Sequence, residues 1–118
     1  MTDPQKSSRL EFLQGTLDML VLRILALGPL HGYGIAQAIR RTTDTAIQVE
    51  AGSLYPALQR LELQGLLAAK WEMSDRNQRT RIYRLTPTGR KRLHKEVSRW
   101  EDFVRAVSLI LHPEPSEE

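Results

Sequence analysis

Gly52-Ser53-Leu54-Tyr55-Pro56-Ala57-Leu58-Gln59-Arg60-Leu61-Glu62-Leu63-Gln64-Gly65 is the stretch whose reading decides the fold. Gly52 and Ser53 stand where a helix N-cap belongs, and Pro56 fits a first turn, where its missing N–H costs nothing. Gly65 supplies the residue that most easily takes the left-handed conformation ending a helix. Leu54, Leu58 and Leu61 share one face by their spacing of four and three. That leaves Ser53, Tyr55, Pro56, Gln59, Arg60 and Glu62 facing outward. Hydroxyls, an amide and a guanidinium on one helix face are suited to the edges of base pairs. An arginine-rich hairpin pattern follows directly: Leu66 to Met73 and Thr80 to Leu85 read as strands, joined by the turn-forming Ser74-Asp75-Arg76-Asn77-Gln78.

Working outward, Leu10, Leu13, Leu17, Leu20, Ile24 and Leu27 recur at alternating spacings of three and four and predict a helix over 10–27, ended by Gly28-Pro29. Phe12, Val21, Leu22 and Leu25 widen its apolar surface, so it must be covered on more than one side. His31-Gly32-Tyr33-Gly34 reads as a turn opening a short helix that carries Ile35 and Ile39. The connection from Thr42 to Ala51 contains Ile47-Gln48-Val49, a candidate extended segment. Thr86-Pro87 predicts a capped start for a last helix, in which Leu93, Val97, Trp100, Val104, Val107 and Leu111 form a coiled-coil seam. Phe103 and Ile110 widen that seam, and His112-Pro113-Glu114-Pro115 stops it.

The predicted class is therefore mainly α with a small β-hairpin: a winged helix-turn-helix domain plus a long C-terminal dimerisation helix. The expected boundaries are a flexible N-terminus over 1–9, the winged helix-turn-helix over 10–85, the dimerisation helix over 86–111 and a flexible tail over 112–118. The seam on the last helix, joined by Leu10, Leu13 and Leu17 of the first, exceeds what one small domain can bury. A second copy is the simplest partner, because closed two-fold dimers are the commonest oligomers.

Composition excludes much else. The 118 residues leave room for one domain, and the absence of cysteine removes disulfides, thiolate metal sites and cysteine nucleophiles together. His31, His94 and His112 lack metal-ligand spacing, and neither Ser53 nor Ser98 has a positioned base, so neither an enzyme nor a cofactor is expected. Without a signal-like N-terminus or a long uninterrupted apolar run, a cytoplasmic protein with no membrane partner is expected. The net charge of +3 is mild, but its distribution is uneven. Lys70, Arg76, Arg79, Arg81 and Arg84 fall in the hairpin, whereas acidic residues gather near the C-terminus, which suits a polyanion on one surface. Solvated hairpin and helix charges are the plain alternative.

Candidate roles follow from residue chemistry. Ser53 and the N–H groups at its helix start suit a phosphate or base edge. Tyr55 and Pro56 can meet a thymine methyl, Gln59 can pair with adenine, and Arg60 with guanine or phosphate. The structural alternatives are a Tyr55 that packs on a neighbouring helix and an Arg60 that pairs with a nearby acid. Arg76, Arg79 and Arg81 are the hairpin candidates for a minor groove or phosphate. Trp100 reads first as a packing residue. With Leu13, Leu17 and Phe103, it would also wall an apolar cavity at a dimer centre, suited to a small planar or aromatic effector.

His31-Gly32-Tyr33-Gly34-Ile35, Gly52 to Glu62, Gly65-Leu66, Tyr83 to Arg90 and Leu13 to Asp18 together resemble the PadR family of bacterial transcriptional regulators, in the same order over roughly 10–111. The short C-terminus is similar to the compact members of that family, and the segments around Gln14 to Gly34 and Trp100 to an acidobacterial-type subgroup. The resemblance implies a homodimeric repressor on a palindromic operator of double-stranded DNA, released in some members by small aromatic acids or drugs. It also implies a backbone contact from Tyr33. Gly34 departs from the pattern, since many members carry glutamate there, and a looser start to the second helix is expected. The rival class is a winged-helix protein–protein adaptor without specific DNA binding.

Overall fold

The structure, a computed structural model, describes residues 16–115. Leu10 and Leu13, both expected at a dimer seam, lie outside the described residues. The order is α1 (16–25), β1 (Leu30–His31), α2 (Gly32–Thr42), α3 (Ala51–Leu63), β2 (Leu67–Met73), β3 (Arg79–Leu85) and α4 (Pro87–Leu111). The three strands form one antiparallel sheet in the order β1-β3-β2.

Apolar spacing along the helices builds the core. Leu17, Val21, Leu22 and Leu25 of α1 meet Ile35 and Ile39 of α2 and Leu54, Ala57, Leu58 and Leu61 of α3. Leu66 after α3, Leu67 and Tyr83 of the sheet and Leu93 of α4 close it. Leu22 and Leu58 are sealed from solvent, and burying each such side chain contributes roughly 1.5–3 kcal/mol.

Several expectations need correcting. α1 stops at residue 25, where Leu27 and Gly28 N–H donate to Ile24 and Leu25 in a tightened last turn. Gly28 then takes φ +152°, which other residues rarely adopt. His31, read as the start of a turn, belongs with Leu30 to a strand: Leu30 pairs with Tyr83 and His31 with Ile82. The 47–49 segment forms no strand. Thr43 Oγ1 instead donates to the Ile39 carbonyl (2.8 Å) and accepts from Ile47 N–H (3.1 Å), while Asp44 and Thr45 adopt left-handed φ. β3 begins one residue earlier than expected and β2 one later.

α3 also starts two residues before its predicted cap. Glu50 is the N-cap residue, and its carbonyl already accepts from Ser53 and Leu54 N–H at 3.0 and 2.9 Å. Those two amides are used inside the helix, so they are not the donors a phosphate would meet. Pro56 consequently lies in the second turn, where it offers no N–H to the Gly52 carbonyl. The other end is as read: Gly65 sits at φ +75°, with Gly65 N–H bonded to Glu62 O and Leu66 N–H to Leu61 O. This is the Schellman arrangement.

Thr86 joins that cap to α4. Its hydroxyl donates to the Gly65 carbonyl (2.7 Å) and accepts from Gly89 N–H (2.9 Å), and its N–H donates to Leu66 O (3.1 Å). Gly89 lets α4 lie directly on the Leu66 carbonyl, where a Cβ would collide. α4 is thereby anchored at its start, and its 25 residues extend about 37 Å. No helix among the described residues is long and apolar enough to cross a membrane.

Candidate nucleic-acid interface

The buried side of α3 is set by Leu54, Ala57, Leu58 and Leu61. At 100° per residue, the opposite side is a stripe of Gly52, Pro56, Gln59 and Leu63, spaced four, three and four, and all four are exposed. Leu63 is 82% exposed on this stripe although it is a large aliphatic residue. Sequence reading assigned it no role. Its seven-residue offset from Pro56 was the available signal.

Residues on the flanks of the stripe are committed to neighbours. On one side, the half-exposed Tyr55 ring lies against Gly32 so closely that a Cβ there would come within 2.8 Å of Cε1. Tyr55 thus packs on the start of α2 and still presents half its surface to solvent. Tyr33, the next residue along α2, is 65% exposed beside the His31 ring. Both phenols therefore belong to the same end of the surface. His31 Nδ1 accepts from Gly34 N–H at 2.8 Å and caps α2, so the helix start is held even though Gly34 stands where an acid was expected. A Cβ at Gly34 would approach that imidazole to 3.2 Å.

On the other flank, Arg60 donates from Nη2 to Asp18 Oδ1 of α1 at 2.6 Å. The arginine offered for guanine or phosphate is paired with an acid in the free protein, the alternative open at the sequence level. Ser53, half-buried in the first turn of α3, lies on this same flank.

The hairpin shows a similar division. Trp71 pairs in register with Arg81, and Met73 with Arg79, on the sheet face that also carries the buried Leu67 and Tyr83. That face looks toward α3, and Arg81 Nη2 donates to Glu62 Oε2 at 2.7 Å. The Arg81 guanidinium also lies 5.4 Å from the Trp71 ring centre and 6.0 Å from that of Tyr83. The Arg79 guanidinium lies over the indole as well, 4.9 Å from its centre. Burial pushes the Tyr83 phenol above its ordinary range, partly offset by the Arg81 charge, with Glu62 adding to the rise. Arg76 sits at the exposed hairpin turn, next to Asn77 at φ +61°. Among the described residues neither Arg76 nor Arg79 has a carboxylate partner, whereas Lys70 pairs with Glu72 at 3.2 Å.

The seam residues of α4 separate into two groups. Leu93, like Leu17 of α1, is buried in the chain's own core, and Val97 packs against that core. Beyond them, Trp100 and Val107 are partly covered, while Phe103, Val104, Ile110 and Leu111 are exposed, Ile110 at 80%. Trp100 and Phe103 stand 6.3 Å apart at a tilt of 41°.

A helical core presenting an outward helix stripe beside a basic hairpin defines a winged-helix regulator. Residues 21–95 match the Transcriptional regulator PadR-like family. A transcriptional regulator of Mycobacterium tuberculosis is 34% identical over 97 residues, covering 82% of this chain and 87% of its own. An uncharacterised protein of Lysinibacillus sphaericus is 30% identical and covers 87% and 94%. Among solved structures, a PadR family transcriptional regulator of Eggerthella lenta superposes with a TM-score of 0.77 at 35% identity, covering 92% of this chain and 93% of that one. A Clostridium thermocellum transcriptional regulator gives 0.77 at 28%, covering 83% and 95%. The chain belongs to the PadR-like family of transcriptional regulators, and it is not an enzyme.

Proposed function

We propose that this protein is a homodimeric repressor that binds a palindromic operator, each copy placing α3 in the major groove and its hairpin on the adjacent backbone. The observation that carries this reading is the exposed α3 stripe of Pro56, Gln59 and Leu63 beside the cationic hairpin. Gln59 matches the donor and acceptor pair of adenine, and Pro56 and Leu63 offer apolar contact to thymine methyls. Ser53, Tyr33 and Tyr55 flank the stripe as backbone or base-edge contacts, and Arg76 and Arg79 supply free cations. Arg60 joins them by exchanging Asp18 for a phosphate, whereas Arg81, held by Glu62, braces the hairpin against α3. The exposed apolar side of α4 supports a second copy, which sets two stripes about one helical turn apart on B-DNA.

Footprinting on the DNA upstream of the protein's own gene tests this, with sedimentation of the complex. A palindromic protected site holding two chains is expected. Salt-insensitive binding with no footprint would instead favour the adaptor reading. A second reading, release by a planar effector, rests on the Trp100–Phe103 pair at the exposed part of α4. Trp100 emission in a Trp71→Phe background, titrated with planar cations or phenolic acids, should be quenched as operator is released. An unchanged signal at saturating concentrations would remove the effector from the account.

A further inference from the structure

We propose that Trp71 and Arg79 form a distinct backbone seat on the hairpin, taking one deoxyribose-phosphate of the duplex, with the indole against the sugar and the guanidinium on the phosphate. The proposal rests on the DNA-binding reading and adds a residue, Trp71, that its chemistry alone did not single out. The indole is 53% exposed in the middle of a strand, on the sheet face that buries Leu67 and Tyr83 further along. An aromatic side chain of this size is usually far better covered. Two guanidiniums lie near its ring, at 4.9 Å for Arg79 and 5.4 Å for Arg81.

Those two cations are not equivalent. Arg81 is tied to Glu62 at 2.7 Å and acts as a strut between hairpin and α3, whereas Arg79 has no carboxylate partner among the described residues. The seat therefore combines a flat apolar surface with one uncompensated positive charge. Net positive charge on a hairpin that also carries the unpaired Arg76 selects a polyanion, and the apolar floor matches the C–H face of a sugar. Such a contact is independent of sequence, since sugar and phosphate positions carry no base information. Any B-DNA duplex can therefore test it.

In a Trp100→Phe variant, Trp71 is the remaining tryptophan. It is titrated at low salt with a dye-labelled, mixed-sequence duplex of several helical turns, while anisotropy reports binding in the same samples. The Trp71 emission is expected to change with the same midpoint as the anisotropy. Trp71→Ala should weaken binding about five- to tenfold, the scale of one aromatic contact to nucleic acid, and leave the salt slope unchanged. Trp71→Phe should recover most of the loss. Arg79→Ala should lower the slope of log affinity against log salt by about 0.9, one phosphate.

Constant Trp71 emission while the duplex binds would overturn the proposal, as would full affinity in a folded Trp71→Ala variant. An emission change that follows protein concentration without DNA, or one produced by an acidic peptide and not by duplex, would assign the indole to a protein contact and overturn it equally. Absence of any anisotropy change with the unmodified chain is a separate result, which removes the DNA reading itself and the seat with it.

Discussion

The Glu62 carboxylate at the end of α3 accepts a 2.7 Å hydrogen bond from Arg81 in the middle of β3. Helix and hairpin are therefore coupled through a charge pair, and the angle between the two surfaces proposed to meet DNA depends on it. Both side chains are about one-third exposed, so the pair stays in the modest range of partly solvated ion pairs. Glu62→Gln should cost about 0.5–1 kcal/mol in denaturant unfolding and steepen the DNA salt slope, because Arg81 becomes available to phosphate. A double-mutant cycle with Arg81→Gln checks the coupling, and a value near zero would remove the strut.

Asp18 and Arg60 form the corresponding staple between α1 and α3 at 2.6 Å. If Arg60 exchanges Asp18 for phosphate on binding, Asp18→Asn should raise affinity for mixed-sequence DNA, while Arg60→Ala should lower the salt slope by about 0.9. Salt titrations of both variants decide between the roles. An Arg60→Ala variant that loses stability but keeps its slope would leave Arg60 as a structural residue.

Two glycines should respond in opposite directions. A Cβ at Gly89 would collide with the Leu66 carbonyl and approach Leu85 Cδ1 to 2.7 Å, so Gly89→Ala should cost about 1–3 kcal/mol. Gly52 has open space around it inside α3, so Gly52→Ala should gain about 0.5–1 kcal/mol from helix propensity. Paired melts measure both. Equal and small effects would mean that the α4 start is not seated on Leu66.

Tyr83 makes stability depend on alkaline pH. Its phenol is raised above the ordinary 10.0 chiefly by burial, so the folded chain retains that proton longer than the unfolded one. The associated stability is complete below pH about 10 and is lost as pH rises through that value toward the folded pKa. Denaturant midpoints across this window should fall less steeply for Tyr83→Phe than for the unmodified chain. Identical slopes would show that the phenol titrates alike in both states.

Local signals reached far into this fold. The left-handed glycine at Gly65, the Thr86-Pro87 start of α4 and the apolar spacing of α3 all act within a turn or two, and the structure carries each of them. The N-terminus of α3 was misread because Ser53 is a good cap residue by type, whereas helical geometry already begins at Ala51. β1 had no signal of its own: two residues become a strand only because β3 lies alongside. Nor was Trp71 legible as a candidate, since alternation assigns a face but does not say how far the core extends along it.

What the sequence by itself determined was the order of the helices and the hairpin strands, the buried side of each helix and the basic character of the hairpin, because periodicity and turn chemistry are local. Which arginines are free was decided by the tertiary structure. Arg60 meets an acid 42 residues away and Arg81 one 19 residues away, while Arg79 meets an indole. Charge pairing depends on distance in space, and only the folded chain brings α1 against α3 and α3 against the hairpin.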